Sequence, residues 1–143
     1  MKVTLDASVW LAALSPAERD HAVCASLVSS LIDCGAALHQ PGLFVIEVCA
    51  AVARRTRNPA LAIEAGRATL AVPGLVVHAL DHELAAEAAE IAAACALRGA
   101  DAVYVATARR MGATLLTLDG EVRERAEPTA TVWTPGEWRS AMA

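Results

Sequence analysis

Asp6, Glu47, Asp101 and Asp119 are the residues whose type and setting in this sequence point to chemistry. Asp6 closes the apolar run Val3-Thr4-Leu5, and Asp119 closes Thr114-Leu115-Leu116-Thr117-Leu118. In an open α/β sheet, residues at the carboxyl ends of strands line the crevice where ligands bind. Glu47 and Asp101 fall early in helical segments that can lean over the same crevice. Glu47 stands in Leu43-Phe44-Val45-Ile46-Glu47-Val48-Cys49, which is otherwise apolar. A carboxylate buried there has to be paired, protonated or bound to metal. Mg²⁺ takes oxygen ligands, usually one or two carboxylates, and keeps several waters for substrate oxygens. Four converging acids are therefore ample for one ion and compatible with two. Two ions roughly 3.5–4 Å apart clamp the attacking water and the leaving oxygen of a phosphoryl displacement, with no histidine base. Each acid also has a purely structural reading: Asp6 and Asp119 as Asx-turn residues, Asp101 as a helix N-cap, and Glu47 as a solvated helix position.

The elements that must position these acids alternate along the chain. Val3 to Asp6 reads as a short buried strand and Ser8 to Leu14 as a helical turn stopped by Ser15-Pro16. From Glu18 to Cys34 the apolar positions recur at three and four, and Gly35 supplies the stop. Ala36 to Gln40 is a weak strand, Phe44 to Arg57 a helix broken by Asn58-Pro59, and a further helix runs through Leu70. Leu75 to Leu80 is rich in β-formers, with Asp81 as N-cap of an alanine-rich helix that Gly99 ends. Asp101 opens the next helix, Gly112 ends it, and strands follow through Leu118 and near Thr129 to Trp133 before a Pro135-Gly136 turn. Strands alternating with helices predict a three-layer α/β/α architecture with a central parallel sheet.

At 143 residues the chain is expected to form a single domain, 1–143, with a substantial core. No apolar stretch approaches the ~20 residues of a membrane span. The amino terminus lacks the pattern of a signal peptide, so a cytoplasmic protein is expected. Cys24, Cys34, Cys49 and Cys95 form no C-x-x-C pair and read as small hydrophobes rather than disulfide or zinc ligands. His21, His78 and His82 read as capping or surface residues. The net charge of −4 argues against a protein that coats nucleic acid nonspecifically, but leaves room for a nuclease. Lys2 is the only lysine among 12 basic residues, so the rest are arginine. They cluster as Arg54, Arg55 and Arg57, as Arg109 and Arg110, and as Arg123 and Arg125. Such groups complement helix dipoles; placed around an acidic pocket they hold phosphates, and Arg109 and Arg110 are the expected substrate contacts.

Val-Thr-Leu-Asp6-Ala-Ser8-Val-Trp-Leu, the isolated Glu47, Arg-Gly-Ala-Asp101-Ala-Val-Tyr104-Val-Ala and Leu-Leu-Thr117-Leu-Asp119 together resemble the successive acidic motifs of PIN-domain ribonucleases. The match is nearest to the VapC-type toxins of bacterial and archaeal toxin–antitoxin pairs, and it runs from residue 3 to about residue 133. The third and fourth motifs are the specific ones. The resemblance implies that Asp6, Glu47, Asp101 and Asp119 coordinate Mg²⁺ or Mn²⁺, with Ser8 and Thr117 as hydroxyls supporting the carboxylates. It leaves open whether Asp119 binds metal itself or supports another ligand, a role Glu121 can share. It also implies an RNA substrate, a homodimer, and inhibition by a small antitoxin. A non-catalytic PIN-like interaction module is the alternative from another class, yet all four acids are present. A Mg²⁺-dependent phosphoacceptor or phosphatase domain is a further alternative. Asp6-Ala7-Ser8 lacks the second aspartate of a D-x-D nucleophile motif, and no phosphate-binding glycine loop occurs. Aromatic residues are only 3% of the chain, so shape and arginine contacts are expected to matter more than base stacking.

Overall fold

The predicted alternation of strands and helices is realised in a computed structural model that describes residues 1–143. Its first half comprises β1 (Lys2–Leu5), α1 (Ala7–Leu14), α2 (His21–Asp33), β2 (Ala37–Pro41), α3 (Leu43–Thr56), α4 (Pro59–Leu70) and β3 (Leu75–His78). Its second half comprises α5 (His82–Cys95), α6 (Gly99–Met111), β4 (Thr114–Leu116), α7 (Gly120–Ala126), β5 (Val132–Trp133) and α8 (Pro135–Met142). All pairings are parallel and the strand order is β3-β2-β1-β4-β5. The chain thus winds outward from β1 to β3, then returns to β4 on the other side of β1. With right-handed crossovers, that reversal puts α1 to α4 on one face and α5 to α7 on the other. The result is the expected three-layer α/β/α sandwich with a central parallel sheet.

Val3, Leu5, Leu38, Leu115 and Leu116 are wholly buried, as strands covered on both faces require. One hydrophobic cluster joins them to Val9, Trp10, Phe44, Leu84 and Tyr104 from the helices. The backbone register of β1 with β2 ends at Val3↔Leu38. Beyond it the buried Gln40 amide, oriented to donate to Leu5 O and to accept from Leu5 N at 2.9 Å each, continues the ladder by side chain. Leu5 is therefore fixed on both edges immediately before Asp6. No single helix is long and apolar enough to cross a membrane.

Several expected boundaries move, for identifiable reasons. The helix expected to reach Gly99 stops at Cys95, where Ala96 adopts a left-handed conformation, and Gly99 instead opens α6. The strand expected to reach Leu118 ends at Leu116, which frees the Thr117 side chain for the crevice. Pro135-Gly136 is not a closing turn but the start of α8. Proline suits the first helical position, and Thr134 and Glu137 form a reciprocal capping box, a Thr-x-x-Glu signal legible in the sequence. All four cysteines are free. Cys24 is buried, and burial followed by nearby Asp20 pushes its thiol up to about 11, so it behaves as a hydrophobe. Cys34 differs from the expectation in being exposed at the end of α2.

His78 is not a surface residue acting alone. Its Nε2 lies 2.9 Å from Nδ1 of His39, and the rings stack at 5.2 Å between centroids. His39 Nε2 is buried without a partner, so a second proton on this ring would place an unsatisfied N–H in the interior. Burial, then His78, then Lys2 hold the His39 pKa below the usual histidine value. A base whose folded pKa is depressed takes up protons more readily when unfolded. Its stabilising contribution is complete above the unfolded value near 6.5 and is lost as pH falls through the folded one. Thermal melts should show the midpoint falling between about pH 7 and pH 5, with His39→Gln flattening that fall; an unchanged profile in the variant would refute the assignment.

Candidate metal centre

The chain reverses direction across the sheet between β1 and β4, and such a switch point opens a crevice at the carboxyl ends of the two strands. Asp6 follows β1, with its backbone N–H donating to Leu116 O at 2.9 Å, so the ends of the two strands are tied together. Asp6 occupies the N-cap position of α1, yet its side chain caps nothing. Instead its Oδ2 accepts from Ser8 Oγ at 2.7 Å and from Thr117 Oγ1 at 2.8 Å. Thr117 Oγ1 in turn accepts from the backbone N–H of Asp119 at 3.0 Å, and Ser8 Oγ from that of Leu118 at 3.4 Å. The two hydroxyls therefore fix the Asp6 carboxylate and the loop after β4 as one unit.

Glu47 sits in the second turn of α3 and Asp101 in the first turn of α6, so both helices aim a carboxylate at the crevice from near their amino ends. Glu47 Oε2 accepts a short hydrogen bond from the Tyr104 hydroxyl. Tyr104 is the single tyrosine of the chain and is almost wholly buried, so its hydroxyl needs a partner, and Glu47 supplies it. Burial holds the Glu47 carboxyl above the usual range; the Tyr104 bond opposes this, Asp6 and Asp101 add to it, and Arg98 opposes it. Burial likewise raises Asp101, against its hydrogen bond and charge interaction with Arg98, while Asp6 and Asp119 raise it further. Three acids are thus close enough to feel one another's charge.

Asp119 is engaged differently. Its Oδ1 caps α7 by accepting from Glu121 N at 2.9 Å and Val122 N at 3.4 Å, while its Oδ2 accepts from Arg98 Nη2 at 2.9 Å. The same guanidinium donates from Nε to Asp101 Oδ2 at 2.8 Å, so Arg98 bridges two of the four acids. Glu121 turns away from the crevice to Arg125, at 2.5 Å. No three acidic side chains surround a common point closely enough to hold an ion as they stand. The bonds account for this: hydroxyls hold Asp6, a phenol holds Glu47 and a guanidinium spreads over Asp101 and Asp119. One oxygen each of Asp6, Glu47 and Asp101 accepts nothing from the protein. A donor set of unpaired carboxylate oxygens suits a hard divalent cation, and Asp119, with both oxygens used, stands behind Asp101.

Arg98 and Tyr104 were missed as members of the site. Arg98 had a sequence signal, since it precedes Asp101 at the i,i+3 spacing of helical ion pairs. Arg109 and Arg110, the expected substrate contacts, lie at the opposite end of α6 from Asp101. They occupy the last turn of α6, about 12 and 14 Å along the axis from Asp101 at about 1.5 Å per residue. Arg110 is also occupied, donating to Glu87 at 2.9 Å with Asp81 at 3.7 Å.

The PIN domain family model matches residues 3–128, and the chain belongs to that family. Among solved structures, the VapBC2 complex from Rickettsia felis bound to a promoter DNA fragment matches with TM-score 0.72 at 12% identity, over 94% of this chain and 98% of that one. FitAcB from Neisseria gonorrhoeae matches with TM-score 0.72 at 22% identity, over 95% and 99%. VapC20 from Mycobacterium tuberculosis, described as a sarcin–ricin loop cleaving toxin, matches with TM-score 0.72 at 20% identity, over 85% and 93%. At these identities the likeness is one of fold. No curated protein matches this chain in sequence.

The Tyr104 bond favours the ionised form of Glu47, while burial and two neighbouring acids oppose it. Tyr104→Phe should therefore raise the Glu47 titration further while leaving the fold unchanged. Carboxyl-carbon NMR through acid pH measures this, and a midpoint that fails to rise would show that the phenol does not control Glu47.

Proposed function

We propose that this chain is a Mg²⁺- or Mn²⁺-dependent endoribonuclease and the toxin of a toxin–antitoxin pair. The observation that carries the reading is the placement of Asp6, Glu47 and Asp101 around the β1/β4 switch point of a PIN fold, each with an oxygen free of protein partners. These three would hold the ion, with Asp119 supporting Asp101 through Arg98. When bound, a divalent ion supplies hydroxide from water near neutral pH and stabilises charge on the scissile phosphate. The chain's own residues set up that chemistry. Ser8 and Thr117 hold Asp6 in one orientation, Tyr104 orients Glu47 and favours its ionised form, and Arg98 offsets the charge of Asp101 and Asp119. Hydrogen-bonded partners of this kind, behind metal ligands, usually contribute about 10–100-fold to affinity.

The partners follow from the same reading and from the complexes the structural neighbours form. The substrate is RNA, and the protein works as a cytoplasmic homodimer silenced by a small antitoxin. An apolar groove of about 460 Å³ between α3 and α4 offers that antitoxin a seat beside Glu47. Ile46 and Ile63 on its walls are 63% and 51% exposed. Docked there, the antitoxin buries these side chains and places an arginine among Asp6, Glu47 and Asp101, where a guanidinium satisfies carboxylate oxygens as a cation does.

Asp6→Asn and Asp101→Asn should each abolish Mn²⁺-dependent RNA cleavage without lowering the thermal midpoint of the metal-free protein, because each removes one of several repelling charges. Mn²⁺ at a hundred times its Kd should stabilise the wild type by about 2.7 kcal/mol and the variants much less. A wild type that gains nothing from saturating Mn²⁺ is not a metalloenzyme. Expression alone should stop growth and co-expression of the antitoxin restore it; normal growth with soluble wild-type protein would end the toxin assignment.

A further inference from the structure

Helix α3 carries Glu47 and Arg54 in register. Arg54 lies seven residues after Glu47, so the two share one face of the helix, about 10 Å apart along its axis. Ala50 and Ala51 occupy the turn between them, so no large side chain interrupts that face. Ala51, Arg54, Arg55 and Arg57 line a groove of about 680 Å³. Arg55 is held by Glu18 at 2.6 Å. Arg54 and Arg57 are exposed and form no ion pair with any acid of the chain. Arg57 ends the helix in the left-handed region, with φ 54.

Helix-dipole complementarity explains cations in a last turn, but it does not call for a third arginine past the helix end or for a groove around them. We propose that this groove is the phosphate-binding arm of the active site, in which Arg54 and Arg57 hold the backbone of single-stranded RNA whose scissile phosphate lies at Glu47. The proposal rests on the ribonuclease reading above. A stacked strand advances about 3.4 Å per nucleotide, so the arm reaches phosphates about three to four nucleotides from the cut. Arg54 shares a helix face with Glu47, whereas Arg109 and Arg110, eight and nine residues after Asp101, are turned to other faces of α6. The arm also reads no base, in keeping with the scarcity of aromatic side chains.

The test is fluorescence anisotropy of a short fluorescein-labelled oligouridylate with the full-length protein, in EDTA to prevent cutting and across a potassium chloride series. Each phosphate contact on a single strand contributes about 0.7 to the slope of log affinity against log salt. Arg54→Ala/Arg57→Ala should lower the slope by about 1.4 and weaken binding about 25-fold at 0.1 M salt. Arg54→Lys/Arg57→Lys should keep the wild-type slope, and so should Arg109→Ala/Arg110→Ala. Thermal melts establish that each variant is folded. If the wild type binds RNA and cleaves it with Mn²⁺, but the alanine pair leaves the slope unchanged, the arm is wrong and the ribonuclease reading stands. The same result with loss of antitoxin binding would assign the groove to a protein partner instead. A wild type that neither binds nor cuts RNA overturns both.

Discussion

The pairing of β1 with β4 is the constraint on which the site depends. It joins residues more than a hundred positions apart, bringing Asp6 within hydrogen-bond reach of Thr117 and tying its backbone to Leu116. Because the chain reverses direction between these strands, no helix crosses over their carboxyl ends, and the crevice stays open. Leu5, fixed by β4 on one edge and by the Gln40 amide on the other, leaves Asp6 little freedom. Preorganisation of this kind limits the rearrangement left for a ligand to drive.

The cost of the arrangement is electrostatic. Glu47 and Asp101 are partly withdrawn from water and face Asp6, and both effects favour their neutral forms. The fold offsets this with one donor set for each acid. A cation carried by the protein itself, Arg98, spans Asp101 and Asp119, while the phenol of Tyr104 reaches Glu47 across the core. The same partners keep the carboxylates from converging fully, so the acids are assembled but not collapsed onto a common centre.

Charge is distributed unevenly around this acidic crevice. Most of the arginines at the ends of α6 and α7 are committed to neighbouring carboxylates, Arg110 to Glu87 and Arg123 to Glu137 among them. Those at the end of α3 are less committed, and Arg54 shares a helix face with Glu47. An acidic protein can therefore offer a polyanion a local path while its overall charge discourages nonspecific coating.

The alternation of strand and helix and the four acids were legible in the order of residues alone. Buried parallel strands read as apolar runs, and an acid where such a run stops, or alone in an apolar helix, is conspicuous without any coordinates. The capping signal of α8, Thr134 with Glu137 behind a proline, was also legible in principle, though Pro135-Gly136 reads more readily as a turn. The folded chain was needed to show that Asp6 caps nothing while Asp119 caps α7, and that Arg110 pairs with Glu87 of α5. It alone revealed that His39 meets His78 and Tyr104 meets Glu47. The physical reason is range. Periodicity and capping are set by neighbours a few residues away, whereas these contacts join distant segments whose relative positions exist only once the sheet has chosen its strand order.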